Sequence, residues 1–160
     1  MGLRSDPREQ DKAAVLRVVT ATGFFAPDEE LIAVELVEEA LAKGTASGYH
    51  FLFADHPEQP GELRGYTCYG PIPGTASSFD LYWIAVSPGA QGQGLGGSLM
   101  EATEKAAREQ GATRMYADTS GQEKYAPTRA FYASQGYTAE AVLENFFAPG
   151  DDKVIFSKPL

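Results

Sequence analysis

Apolar and polar positions recur along this chain with two periods, and the change of period marks the elements. Over residues 7–20 the apolar side chains Ala14, Val15, Val18 and Val19 fall at helical spacing. That predicts a helix capped by Asp6, with Pro7 in its first turn, Gly23 as its stop, and Phe24 and Phe25 anchoring the turn. Residues 28–43 predict a second helix. Leu31, Val34, Val37 and Leu41 face inward there, Glu35, Glu38 and Glu39 face outward, and Gly44 ends it. The period then shortens. Short runs at 50–54, 64–69 and 79–87 read as strands, separated by turn residues at 55–61 and a Gly/Pro-punctuated loop at 70–74. Helical spacing returns over 95–110 and ends at Gly111. A strand at 115–118, a helix at 127–135 closed by Gly136, and two last strands at 139–147 and 153–157 complete the chain.

The resulting order, α-α-β-β-β-α-β-α-β-β, predicts one α+β domain over residues 1–160, with helices flanking a mixed, mostly antiparallel sheet. Three strands in succession imply a meander, and strand–helix–strand after them implies a parallel crossover. An earlier first strand would have to come from residues 2–5, which offer little.

Composition narrows the classes. The 160 residues carry 13 basic and 22 acidic side chains, a net charge of −9. That balance disfavours nucleic acid, whose phosphates need basic patches, and suits a cationic or neutral small molecule. Cys68 is the single cysteine, which leaves no disulfide or cysteine zinc site within one chain, and it reads as a small buried residue. His50 and His56 lack the partners a metal site needs. No apolar run is of membrane-spanning length and the N-terminus lacks a signal-peptide core, so the expectation is a cytoplasmic protein without membrane contact.

The chemistry concentrates in residues 79–100. Leu81 to Val86 form a buried-strand run, Pro88 and Gly89 stop it, and Gly92, Gly94, Gly96 and Gly97 precede a helical pattern starting at Ser98. Backbone amides uncovered by side chains at a helix N-terminus make an anion site, most naturally for phosphate. A tight turn with close packing is the plainer alternative. The P-loop pattern fails, because Gly97-Ser98 lacks the lysine. The dinucleotide pattern G-x-G-x-x-G is matched by Gly92, Gly94 and Gly97, with Asp118 near the spacing of the ribose acid. However, the first glycine follows well after the strand, and a helix plus a tight hairpin cannot complete a doubly wound sheet.

A more specific likeness is carried by Gln91-x-x-Gly94-x-Gly96 after Trp83-Ile84-Ala85-Val86-Ser87-Pro88. It resembles the acetyl-CoA pyrophosphate motif of the GNAT (Gcn5-related) N-acetyltransferases. Downstream, Pro127 to Tyr137, with Phe131-Tyr132 ahead of Gly136-Tyr137, is similar to the family's second cofactor motif. The likeness covers roughly residues 50–160, and the two N-terminal helices match only in kind. It implies that the turn Gln91, Gly92, Gln93, Gly94, Leu95, Gly96 and Gly97 holds the coenzyme A pyrophosphate. It also implies that Ile84, Ala85 and Val86 offer strand backbone to pantetheine, and that the strands at 79–87 and 113–119 splay around the thioester. Tyr132 would be the general acid, or a hydrogen bond, for the departing coenzyme A sulfur. Its alternative is a core aromatic beside Phe131.

Amine acetylation also needs a base. Asp80 lies eleven residues before Gln91, where the histone-acetyltransferase branch carries a glutamate base. A turn-capping role competes equally, and Glu123 is a weaker alternative base. Many family members have an asparagine seven residues before the tyrosine as a cofactor contact, where this chain has Tyr125. Of Tyr82 and Trp83, alternation sends one to the core and one to the acceptor pocket. The implied partners are acetyl-CoA as co-substrate and a primary amine on a small molecule or a protein. The turn at 146–152 is a candidate border of the acceptor site or contact of a homodimer. A non-catalytic acyl-CoA-binding module and, distantly, a dinucleotide oxidoreductase are the other classes.

Overall fold

The computed structural model describes residues 2–160 and contains four helices and six strands among them. They are α1 (Asp11–Thr22), α2 (Pro27–Lys43), β1 (His50–Asp55), β2 (Leu63–Pro71), β3 (Ser78–Val86), α3 (Leu95–Glu109), β4 (Arg114–Ser120), α4 (Ala126–Ser134), β5 (Thr138–Ala148) and β6 (Asp151–Pro159). The strands make one sheet in the order β1-β2-β3-β4-β6-β5. The β1–β2, β4–β6 and β5–β6 pairs are antiparallel, and β3–β4, joined through α3, is parallel. The predicted α+β order, meander and crossover are all present.

The chain forms two compact units, Met1–Gly70 with Trp83–Thr103, and Pro71–Tyr82 with Glu104–Leu160. In the first, α1 packs on α2 through Ala14, Val15, Val18 and Val19, all buried. One face of β1 and β2 stacks Phe51, Phe53 and Tyr66. The other receives α3, where a side chain at Gly65 would put its Cβ 2.8 Å from the Ala85 carbonyl oxygen and 3.2 Å from Leu99. Gly65 is therefore the device that lets α3 sit close to the sheet. Thr67 and Thr103 share a buried hydroxyl hydrogen bond of 2.7 Å across the same contact.

Several boundaries differ from expectation, for local reasons. α1 begins at Asp11, and Asp6 does not cap it. Asp11 is drawn instead into a buried ion pair: Arg4 donates to both its carboxylate oxygens at 2.8 Å and the Arg8 amide donates at 2.7 Å. Arg4 also reaches Asp55 at 2.8 Å and exchanges two backbone hydrogen bonds with Phe53. Residues 2–5 thus contribute a single bridge beside β1. The buried stripe of α2 is Ala33, Val37 and Ala40, while Leu31 is 57% exposed. Both stripes satisfy helical spacing, and the one with small residues, which permits close approach, is the one that packs.

In the second unit, Phe79, Leu81, Met115, Ala117, Val154 and Phe156 are buried on one sheet face with Tyr132 and Tyr137. Glu104 of α3 is buried beside them, held by the Tyr137 hydroxyl and by Lys158, each at 2.9 Å. β5 is the edge strand and is exposed along nearly all its length.

Candidate active site

In the first unit the candidate region is made of backbone. β3 pairs with β4 from Ser78–Arg114 to Leu81–Ala117, and the ladder stops there although β3 runs on to Val86 and β4 to Ser120. The Ser87 amide donates to the Arg64 carbonyl at 2.8 Å, and the Ala85 carbonyl faces Gly65. Odd-numbered residues at this end of β3 thus direct their peptide groups toward β2. By strand alternation the N–H and C=O of Ile84 and Val86 point to the opposite edge. Of the three residues expected to meet pantetheine, Ala85 is the one turned inward.

A 3-10 turn over Pro88–Ala90 carries the chain off the strand, and the Gln91 side chain ties it back by donating to the Val86 carbonyl at 3.2 Å. Gly92 and Gly94 both take φ +77°, which side-chain-bearing residues rarely adopt. These two left-handed residues bend the loop. Ser98 N–H to Gly94 O, 3.1 Å, is the bond that opens the α3 ladder. The amides of Leu95, Gly96 and Gly97 lie ahead of it, in the first turn, and present their partial positive charge outward. Leu95 points its side chain into the core, and Arg64 donates to the Gln93 side-chain carbonyl at 3.2 Å. These amides make a candidate anion site, and Arg64 is a cationic side chain bonded to its loop.

In the second unit the candidate region is made of side chains. Tyr132 is buried on α4, with ring centroids 5.4 Å from Phe156 and 5.9 Å from Tyr137. Its ring is part of the core, which is the packing role weighed for it. Burial, and then the charge of Asp118, push its phenol well above the ordinary value, so it is a neutral proton donor at physiological pH.

Asp80 is half-buried near the start of β3, opposite Tyr116 of β4. It makes no cap of the preceding loop, whose hydrogen bonds are made by Thr75, Ile72 and Ser78. Burial pushes its carboxyl up to about 6, with Asp118 adding to the rise and Lys153 opposing it. A carboxylate tuned toward neutrality suits proton transfer. Glu123 is exposed in the short turn before α4, and Tyr125 ends that turn with Lys124 5.0 Å above its ring. Trp83 meets Phe25 in a tilted ring contact with centroids 4.8 Å apart, and both Tyr82 and Trp83 are half-buried, so neither is the core residue that alternation predicted.

Two residues of this cluster had no place in the expected acetyl-transfer site. Asp118, considered only as a ribose acid, lies on β4 two residues beyond Tyr116, the register partner of Asp80. Lys153 of β6 holds it at 3.1 Å. Each lies on the same sheet face as Asp80, a relation that register supplies and local sequence does not. Gly65 was the other omission, and its signal was a glycine inside a predicted strand.

The family model for the acetyltransferase (GNAT) family matches residues 20–137. Among solved structures, an acetyltransferase of the GNAT family from Desulfovibrio desulfuricans is 47% identical, with TM-score 0.95, covering 99% of this chain and 98% of that one. Ribosomal-protein-alanine N-acetyltransferase from Brucella melitensis is 25% identical, with TM-score 0.77 and full coverage of both chains. Aminoglycoside 6′-N-acetyltransferase complexed with coenzyme A, at 18% identity and TM-score 0.73 over 99% and 97% of the two chains, shares the fold. No curated protein sequence matches. No helix among the described residues is long and apolar enough to cross a membrane. With the strand, glycine turn and tyrosine helix in the family's order, and the matched region spanning most of the chain, this protein belongs to the GNAT acetyltransferase family.

Proposed function

We propose that the protein moves an acetyl group from acetyl-CoA to a primary amine by direct transfer in a ternary complex. The observation that carries this reading is the run from the unladdered end of β3 through the left-handed Gly92 and Gly94 into the first turn of α3. The pyrophosphate takes the amides of Gly92 to Gly97, and the pantetheine amides extend the edge at Ile84 and the Val86 N–H, the Val86 carbonyl being held by Gln91. A fold family whose members use acyl-CoA supports the assignment.

The chemistry then balances over two side chains. Asp80, directly or through one water, takes a proton from the acceptor ammonium. The neutral amine attacks the thioester carbonyl carbon, the C–N bond forms and the C–S bond breaks. Tyr132 gives its proton to the departing thiolate, and the phenolate recovers one from the nitrogen that has just been acylated. The products are the amide, coenzyme A thiol and one proton, which leaves through Asp80. Nitrogen as the accepting atom is supported by the name of the Brucella relative. A net charge of −9 favours a cationic acceptor, small molecule or protein, through electrostatic steering.

Calorimetry with acetyl-CoA, followed by a thiol-release assay against an amine panel, tests the reading. Saturable binding and acceptor-dependent thiol release, lost in Tyr132→Phe, are expected. Absence of acetyl-CoA binding would overturn it, and binding without transfer to any amine would favour a non-catalytic module.

A further inference from the structure

The polar face of the second unit's strands joins residues far apart in sequence. Register partners share a face, so Asp80 and Tyr116, Asp118 and Ile155, and Ser120 and Lys153 form successive rows. The charged and titratable groups on the Asp80 face here are Tyr82 on its own strand, Arg114, Tyr116 and Asp118 on β4, and Lys153 on β6; Arg114 is turned to Ser157, to which it donates at 3.1 Å, and to Glu140 at 3.8 Å. Leu143 is the β5 register partner of Lys153 and adds no charge. The Lys153 ammonium lies 3.1 Å from an Asp118 oxygen and 4.4 Å from the centroid of the Phe146 ring. It is therefore gripped from two sides, by a carboxylate and by an aromatic face. The hairpin end that carries this grip is itself tied down. Ser120 donates to Asp151 at 2.5 Å, the Asn145 amide donates to Asp152 at 2.9 Å, and the Gly121 amide donates to the Asp152 carbonyl at 2.9 Å.

We propose that Asp118, tethered by Lys153, is a positioning residue for the transfer reaction: its charge makes Asp80 a proton acceptor. This rests on the reading of Asp80 as base. A negative charge disfavours a second carboxylate anion nearby. On Asp80 it adds to burial. Lys153 sets the limit. Without the ammonium, Asp118 would raise Asp80 further and the base would be protonated over more of the physiological range. Without Asp118, Lys153 would act on Asp80 alone and pull it down toward an ordinary, weakly basic carboxylate. Asp118 has no need to touch the substrate for any of this.

The test is a carboxyl-carbon NMR titration of Asp80 in the full chain, which requires no acceptor, together with the acid limb of the kcat/KM profile on the best amine of the panel. Asp118→Asn is expected to move the Asp80 midpoint down by roughly 0.5–1 pH unit, and Lys153→Met to move it up by a similar amount. Lys153→Arg, which keeps the charge, holds the wild-type midpoint. The acid limb follows the same shifts. Thermal melts accompany each variant, because a structural role would lower stability without moving a midpoint. Unmoved midpoints in folded Asp118→Asn and Lys153→Met overturn the inference and leave the acetyl-transfer reading intact. Failure of that reading looks different: Asp80→Asn then turns over at the wild-type rate with the acid limb retained, and the inference falls with it.

Discussion

The glycine loop and the carboxylate–phenol cluster solve different problems with different materials. The loop, residues 84–97, works through peptide groups: two left-handed glycines and a helix start aim amides at an anion. Its side chains matter mainly as braces, Gln91 on Val86 and Leu95 in the core. The cluster draws Asp80 from β3, Asp118 from β4, Lys153 from β6 and Tyr132 from α4, and works through charge and burial. A backbone site is sensitive to conformation and indifferent to most nearby charges. A side-chain site is sensitive to charge and depends on elements remote in sequence. Binding and chemistry should therefore fail separately.

The largest separation is expected at the chemical groups. Tyr132→Phe and Asp80→Asn should each lower kcat about 10²- to 10⁴-fold, the ordinary worth of a positioned proton donor or acceptor, while the calorimetric affinity for acetyl-CoA stays at the wild-type value. Loss of affinity in either variant would break the division. Next comes the loop. Gly94→Val places a β-branched residue at φ +77°, a strain of about 1–3 kcal/mol. Expressed in cofactor binding, that weakens acetyl-CoA by roughly 10- to 100-fold with kcat at saturation little changed. Equal damage to kcat would show that the loop also shapes the reacting centre.

Asp80→Asn carries a second, smaller signature in stability. The Asp80 carboxyl is raised from 3.8 to about 6 in the folded state. Between those values the folded chain binds more protons than the unfolded chain, so stability falls as pH rises through the window. Asparagine removes that dependence. The variant should melt above wild type at pH 7.5, and the gain should vanish below about pH 4. Differential scanning calorimetry at the two pH values checks the sign. Gly65→Ala probes the support under the loop: its Cβ would lie 2.8 Å from a backbone oxygen, and the overpacking should cost ~1–3 kcal/mol in chemical denaturation.

The smallest effect sharpens the contrast between two phenols. Tyr66 is fully buried and its hydroxyl has no hydrogen-bond partner among the described residues, whereas Tyr132 packs on Phe156 and Tyr137. Tyr66→Phe removes an unsatisfied group and should be neutral or stabilising by less than about 1 kcal/mol, with turnover unaffected. The same one-atom deletion at Tyr132 is expected to remove nearly all activity.

What the amino-acid order settled alone was whatever depends on neighbours within a few residues. Periodicity located every helix and strand, since burial of one face imposes spacing. Left-handed turns need glycine, and two of the four glycines from Gly92 to Gly97, Gly92 and Gly94, take that conformation at the candidate anion site. Tyr132 and Asp80 were singled out by motif spacing, and their chemical roles are proposals. The tertiary structure decided what depends on register and packing. It chose Ala33 and Ala40 over Leu31 as the inner face of α2, because small residues allow closer contact. It turned Asp11 from a helix residue into the buried partner of Arg4. It set Asp118 and Lys153, 35 positions apart by their numbers, 3.1 Å from each other on a face shared with Asp80. Electrostatic coupling falls with distance in space, and distance along the chain carries no information about it until the strands are paired.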